Sequence, residues 1–410
     1  MDITNAQATN RQAATSVDEC PACGSSQLTP FHSMQRIPAL SCTIWDSAAE
    51  AKSCPQGDID LALCETCALL LNTSFDPELL HYDEAYEASL HHSPLFARYA
   101  EELAQDLIER YGLEKKVVLE IGCGKGAFLE MLVKMGNNQG LGFDPSYEAE
   151  PDYVPDERIT FVKEFYTEKH LDISPNLVIA RQLLEHVEEP LEFLTGLRRT
   201  LGDRHDTVVV FEVPNALDML QRADLWDVIY EHPIYFTPIS LDRLLRSAGF
   251  DVLRVRPAYE GLFLIIEASP SAAPPKELES VGHLVKDEVA GFAAAYANRV
   301  KRWAGHLANI KAKNQRAVLW GAGARGDTFL NAIGIEDEIA MVVDLNPRKW
   351  GKHMAGTGQA IHSPEDLKSN PPDVVAVSYT HLRAHETGSG IAYAVFCLKR
   401  GGGGGGGGGG

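Results

Sequence analysis

At 410 residues, with 45% hydrophobic residues and a formal net charge of -20 at pH 7, the chain is long enough for two or three domains, each with its own core. Such acidity argues against non-specific binding to nucleic acid or anionic membrane, both of which need basic surface, and no apolar run approaches the roughly 20 residues of a membrane span. The polar start MDITNAQATNRQAATS has no signal-peptide core, so the expected location is the cytoplasm, with residues 1–17 a disordered N-terminus.

Two CxxC pairs come first, Cys20-Pro-Ala-Cys23 and Cys64-Glu-Thr-Cys67. Each sets two thiolates on one tight turn, and two such turns complete a tetrahedron at a Zn–S distance of about 2.3 Å. Four thiolates leave no open position for water, so a structural Zn2+ is expected, holding together a module over residues 18–75. Cys42 and Cys54 lie between the pairs and each stands alone, which ranks them lower. A redox role is disfavoured because neither pair opens a helix after a strand.

Tyr82, Tyr86, His91 and His92 follow in a stretch that reads equally as a loop over a site and as ordinary surface. From Ser93 onward Phe96, Tyr99, Leu103, Leu107 and Tyr111 recur at helical spacing. The chain then reaches VVLEIGCGKG, Val117 to Gly126, followed by the amphipathic AFLEMLVKM. Strand, glycine turn and helix in that order open a nucleotide-binding α/β domain, because glycine admits a backbone approach that a Cβ would block. Glu120 precedes the first glycine and the spacing is GxGxG, whereas a dinucleotide site reads GxGxxG with its acid about 20 residues later. The segment resembles motif I of class I S-adenosylmethionine (SAM) methyltransferases; a βα turn without a ligand is the plainer alternative. The resemblance implies that Glu120, Gly122, Gly124 and Gly126 line SAM and that Asp144, ending the next strand GLGFD, takes its ribose hydroxyls.

Strands are expected at RITFV, at PNLVIARQLLEHV and at TVVVFEVPN, with PLEFLTGLRRTL a helix between the last two. Arg181, Glu185 and His186 fall at or just beyond the end of the middle one, where open parallel sheets bind ligands, although a cap or salt bridge explains them equally well. Tyr230, Glu231, His232 and Tyr235 then crowd into six residues. A histidine near its ordinary pKa of about 6.5 removes a proton at neutral pH, a neighbouring carboxylate orients it, and a tyrosine donates to a developing enolate oxygen. By itself the cluster is weakly specific.

A Pro/Ala/Ser linker begins at Ser269 and a long amphipathic helix runs through Val285, Phe292, Tyr296, Trp303 and Ile310. AVLWGAGARGDTFLNAI follows, a second strand, glycine loop and helix, with Asp344 ending the next strand. GAGARG fits a dinucleotide or any other diphosphate, including that of a nucleotide sugar. After PDVVAV the chain reads as a processing scar: VSYTHLRAHET, Val377 to Thr387, translates a transposase-type sequencing adapter, and residues 401–410 are unbroken glycine. Without Arg383, Lys399 and Arg400 against Glu386 the charge is near -22. The expected division is 18–75 zinc-binding module, 76–268 methyltransferase domain, 269–316 linker and helix, 317–376 a truncated Rossmann-like domain, and 377–410 artefact.

The whole order resembles the sugar C-methyltransferases of deoxysugar biosynthesis, which implies an α/β fold with a class I methyltransferase core between a zinc-binding module and a Rossmann-like domain. It further implies a nucleotide-linked 4-keto deoxysugar as substrate, held partly by Gly321, Gly323 and Gly326 with Tyr235 alongside. His232 matches the family's base and Glu231 its acid; Tyr230 stands one residue closer to them than in the family's YxEHxxYF. His186 and Tyr82 or Tyr86 match further active-site positions. Competing readings are an NAD(P)-dependent oxidoreductase on GAGARG, a SAM methyltransferase for a non-sugar small molecule, and a zinc-ribbon scaffold or nucleic-acid binder, the last opposed by charge.

Overall fold

The structure is a computed structural model that describes residues 17–80, 93–149, 154–274, 279–335, 337–369 and 371–377, together with the backbone of 394–397. Tyr82, Tyr86, His91, His92, residues 1–16 and most of the stretch after Val377 lie outside the described residues.

The first module has β1 (Leu28–Pro38), α1 (Ala48–Lys52), β2 (Gln56–Cys64) and β3 (Leu70–Asn72). β1, β2 and β3 pair antiparallel. Next, α2 (Pro94–Tyr111) is capped by Ser93, whose hydroxyl accepts from Phe96 N, and ends on left-handed Gly112. It leads into β4 (Val117–Ile121), α3 (Ala127–Gly136), β5 (Gln139–Phe143), β6 (Ile159–Val162), β7 (Leu177–Arg181), α4 (Pro190–Leu201) and β8 (Val208–Pro214). Then come α5 (Ala216–Arg222), β9 (Ile234–Tyr235), α6 (Pro238–Ser247), β10 (Phe250–Ala258) and β11 (Phe263–Pro270).

Seven of these strands form one sheet in the order β10-β11-β8-β7-β4-β5-β6. The five strands from β6 to β8 are parallel, and the near-continuous apolar runs of the central β4, β7 and β8 are buried on both faces as a covered parallel sheet requires. β11 enters antiparallel beside β8, with β10 outside it. This is the class I methyltransferase strand order. The direction of winding reverses at β4, so the crevice beyond its carboxyl end is where a ligand fits. β11 runs to Pro270, so the expected linker at Ser269 begins while the chain is still in the sheet.

β9 departs from a simple modular division. It leaves the large sheet's domain and pairs with β3, completing the sheet of the first module. The segment carrying His232 is thereby tied to the four-cysteine module.

After α7 (Lys286–Ala312) the chain forms β12 (Ala317–Trp320), α8 (Ala324–Ile333), β13 (Ile339–Val343), β14 (Ile361–His362), α9 (Asp366–Ser369), β15 (Val374–Val377) and β16 (Ala394–Cys397). These strands make a parallel sheet in the order β14-β13-β12-β15-β16, so a strand from the stretch read as a scar occupies the edge beside β15. α7 stitches the modules together. Its Phe292 and Tyr296 meet His32 of β1, and Trp303 packs edge-on against Phe329 of α8 at 5.3 Å. Trp45 and His353 exchange backbone hydrogen bonds, and Arg325 pairs with Asp227 at 2.7 Å.

Candidate active site

The four cysteines of the CxxC pairs converge. Cys20 Sγ lies 3.5 Å from Cys67 Sγ and Cys23 Sγ 3.6 Å from Cys64 Sγ, and all four sulfurs fall within 4.8 Å of one another. Ligands about 2.3 Å from one tetrahedral ion sit about 3.8 Å apart, so the set fits a single metal ion. Cys42 and Cys54 are buried elsewhere, with burial raising their thiols to about 12 and about 11.

The glycine loop after β4 has Gly122, Gly124 and Gly126 at φ of 72°, 53° and 82°, conformations that other residues enter only with strain. A Cβ on Gly126 would sit 2.3 Å from the Phe161 ring, whereas one on Gly124 would meet nothing within 4 Å, leaving that backbone open to a ligand. Asp144, just past β5, accepts from Gly124 N at 2.8 Å and from Ser146 N at 2.8 Å. Glu120 is buried with Oε2 unpartnered, and burial raises its carboxyl to about 8 against the pull of Arg181. An open left-handed glycine, an acid at its back and an orphaned buried carboxyl oxygen fit a polar cofactor on this loop.

Below the loop lies a polar network that sequence reasoning missed. Glu212 of β8 is fully buried and accepts from Arg181 Nε at 3.1 Å, from Gln182 Nε2 at 3.2 Å and from Tyr99 Oη. The Arg181 guanidinium also lies 4.2 Å over the Phe128 ring. A Glu212 tied to β7 and α2 fixes how the strand ends face the crevice.

Glu185, His186 and His232 meet beyond the end of β7, with their ligand-type atoms within 4.8 Å of one another. The two imidazoles pack edge-on at 4.8 Å. His186 Nδ1 lies 3.0 Å from the Glu231 carbonyl oxygen, an acceptor, so this nitrogen carries the proton. His232 is buried with Nδ1 unpartnered, and its pKa falls well below 6.5, first through burial and then through His186. Glu185 is buried with both carboxyl oxygens unpartnered, and burial lifts it to about 8.

Three expectations change here. His232 does not sit near its ordinary pKa, because burial disfavours the imidazolium. The Glu231 carboxylate reaches the first module, where it accepts from Ser41 N at 2.6 Å and Ser41 Oγ at 2.8 Å, and it is the backbone carbonyl of Glu231 that meets His186 Nδ1. The hydroxyls of Tyr230 and Tyr235 are engaged by the scaffold: Tyr230 accepts from Asp76 N at 2.9 Å, and Tyr235 accepts from Ile229 N at 3.1 Å and donates to Ile229 O at 2.7 Å. The Tyr230 ring fills the space over Gly57, where a Cβ would lie 2.2 Å from it. Neither tyrosine is poised to steady an enolate.

At the C-terminal loop Gly321 has a φ of 108°, and a Cβ on Gly326 would collide with Gly321 O at 2.1 Å. Asp344 accepts from Ala322 N at 2.7 Å, repeating the Asp144–Gly124 arrangement, and buried Lys349 donates to Ala322 O at 2.8 Å. Gly323 caps α8 in extended conformation, and the neighbouring Ala324 N–H faces the Cys42 sulfur of the first module. Asp327 is buried nearby, and burial, with Glu231 adding to the effect, raises its carboxyl pKa well above the usual range.

Comparison with known proteins agrees with this architecture. Residues 96–255 match a family described as a methyltransferase domain, and residues 276–385 one described as a C-methyltransferase C-terminal domain. C-methyltransferase NovU of Streptomyces niveus is 26% identical over 378 residues, which span 87% of this chain and 88% of that protein. Among solved structures, magnesium protoporphyrin IX methyltransferase from Synechocystis is 18% identical, covering 43% of this chain and 84% of its own, with a TM-score of 0.34. The 1,6-didemethyltoxoflavin-N1-methyltransferase of Burkholderia thailandensis is 19% identical over 50% of this chain and 96% of its own, with a TM-score of 0.35. Overlays that partial add nothing to the strand order described above. The two family matches follow one another in the chain, and the similarity to NovU, over 87% of the chain, reaches into both; the chain therefore carries a methyltransferase domain followed by a C-methyltransferase C-terminal domain and is a SAM-dependent C-methyltransferase.

Proposed function

We propose that this enzyme methylates the carbon beside the ketone of a nucleotide-linked keto-deoxysugar. The observation that carries the reading is the grouping of His232, His186 and Glu185 at the carboxyl edge of the sheet, the same edge as the Gly122–Gly126 loop. A carbon beside a ketone becomes a nucleophile only after losing a proton, so carbon methylation needs a base that is unprotonated and shielded from water. His232 meets both conditions. Bound across Glu120, Gly122, Gly124, Gly126 and Asp144, SAM would supply an electrophilic methyl group. His232 takes the proton, and His186, anchored on the Glu231 carbonyl, holds the facing ring in place. Alignment of the two substrates contributes several kcal/mol without any covalent intermediate.

The four cysteines hold one structural zinc, and the C-terminal module with Gly321, Gly323 and Gly326 helps to hold the nucleotide. The acidic chain and its free cysteines suit the reducing cytoplasm.

Titration calorimetry tests the cofactor assignment. SAM or S-adenosylhomocysteine is expected to bind while NADH does not. Gly124→Val should weaken that binding more than about tenfold, because a β-branched residue at positive φ costs more than about 1.4 kcal/mol and its side chain enters the open space. Tight NADH binding with silence toward SAM would support the oxidoreductase reading instead.

A further inference from the structure

The catalytic cluster holds one group that proton abstraction by His232 leaves unexplained. Glu185 is 2% exposed, neither carboxyl oxygen has a hydrogen-bond partner, and it lies within 4.8 Å of both histidines. A buried carboxyl with no partner is costly unless a ligand completes it. Among the described residues, the Tyr230 and Tyr235 hydroxyls are not poised to donate to the oxygen that becomes negative, since they are bonded to Asp76 and Ile229.

We propose that Glu185 is the electrophilic acid of this site and donates a hydrogen bond from its neutral carboxyl to the ketone oxygen of the substrate. This rests on the keto-substrate reading above. As the bond between hydrogen and the carbon beside the ketone breaks, the proton passes to the His232 imidazole and the electron pair moves through the new carbon–carbon double bond onto the ketone oxygen. The Glu185 O–H meets the charge where it develops, and the proton on Glu185 need not leave. A neutral carboxylic acid is suited to this task at neutral pH because an apolar surrounding keeps it protonated. Among the described residues, the titratable and charged groups around it are His186 on its own turn, His232 from the segment after α5, and Glu212 on β8, which is paired with Arg181 of β7. None of these supplies a cation directly to the Glu185 carboxyl among the described contacts.

The test follows deuterium exchange at the carbons beside the ketone of a thymidine-diphosphate 4-keto-6-deoxyhexose in heavy water, without SAM, so that enolisation is read apart from methyl transfer. Glu185→Ala should slow exchange by roughly 10²- to 10³-fold, while Glu185→Gln, whose amide still donates, should recover to within about tenfold of the parent. Both variants should bind SAM normally. Exchange by the parent enzyme should decline above pH 8 as the carboxyl ionises, and Glu185→Gln should lack that decline. Infrared difference spectra of parent minus Glu185→Gln, without any ligand, should contain a protonated-carboxyl band at pH 7; its absence would overturn the proposal even if the alanine variant fails to fold. Exchange by Glu185→Ala at the parent rate, or a glutamine variant as impaired as alanine, would also overturn it. So would a second tightly bound divalent metal per chain that Glu185→Gln releases. If the parent neither exchanges nor methylates the probe, the keto-substrate reading fails and takes the proposal with it; parent exchange that is insensitive to Glu185 sinks the proposal alone.

Discussion

His232→Ala is expected to lower turnover roughly 10²- to 10⁴-fold while leaving SAM affinity nearly unchanged, the loss that accompanies removal of a general base. The separation of the two effects follows from where the groups sit. His232 belongs to the segment after α5, whereas the SAM loop follows β4 and rests on Asp144 and Glu120. The pH dependence provides a second readout. Burial and the neighbouring His186 both lower the His232 pKa, so the base stays unprotonated as pH falls through 6.5 and activity at pH 6 should remain close to that at pH 7. A fall centred near 6.5 would indicate an exposed histidine as the base. An active His232→Ala enzyme would move the base elsewhere, with His186 next in line.

The second large effect is expected from Cys64→Ser. Thiolates at 3.5 and 3.6 Å across the cluster leave room for one ion, and a structural zinc contributes folding free energy directly. The variant should lose most of a metal content of about one zinc per chain, and the thermal midpoint should fall by on the order of 10 °C, as several kcal/mol of lost stabilisation implies. Turnover should fall as well, although the four cysteines form a set separate from Glu185, His186 and His232. β3 of the cysteine module pairs with β9, two residues after His232, and Ser41 of the same module holds the Glu231 carboxylate. Full zinc retention, read by elemental analysis of the purified protein, would mean that other ligands carry the ion.

Which features were legible in the sequence depends on whether their causes are local. The strand–glycine–helix unit at Val117–Gly136 and the four-cysteine set could be read because spacing alone fixes which atoms share a turn. The helices α2 and α7 followed from apolar periodicity for the same reason. The antiparallel pair β10 and β11 was missed, although FLIIEA after the Tyr259–Gly261 turn is a strand signal of the ordinary kind. The contacts of Glu231 were not legible, because its partner Ser41 is 190 residues away and an isolated YEH gives no direction to either side chain. Glu185 and His186 were recognisable as residues at a strand's end, but the solitude of the Glu185 carboxyl is a property of packing from β7, β8 and the segment around His232. Tyr230 and Tyr235 looked catalytic by type, and it is the backbone of Asp76 and Ile229 that engages their hydroxyls.

The position of the new methyl group decides whether transfer is to the carbon beside a ketone. The enzyme would be incubated with SAM labelled with carbon-13 in its methyl group and a nucleoside-diphosphate 4-keto-deoxysugar, and the product read by carbon-13 NMR. A labelled methyl coupled to a ring carbon adjacent to the ketone is expected, formed by the parent and not by His232→Ala. A labelled methyl on oxygen or nitrogen, or no transfer to any keto sugar by an enzyme that binds SAM, would contradict it.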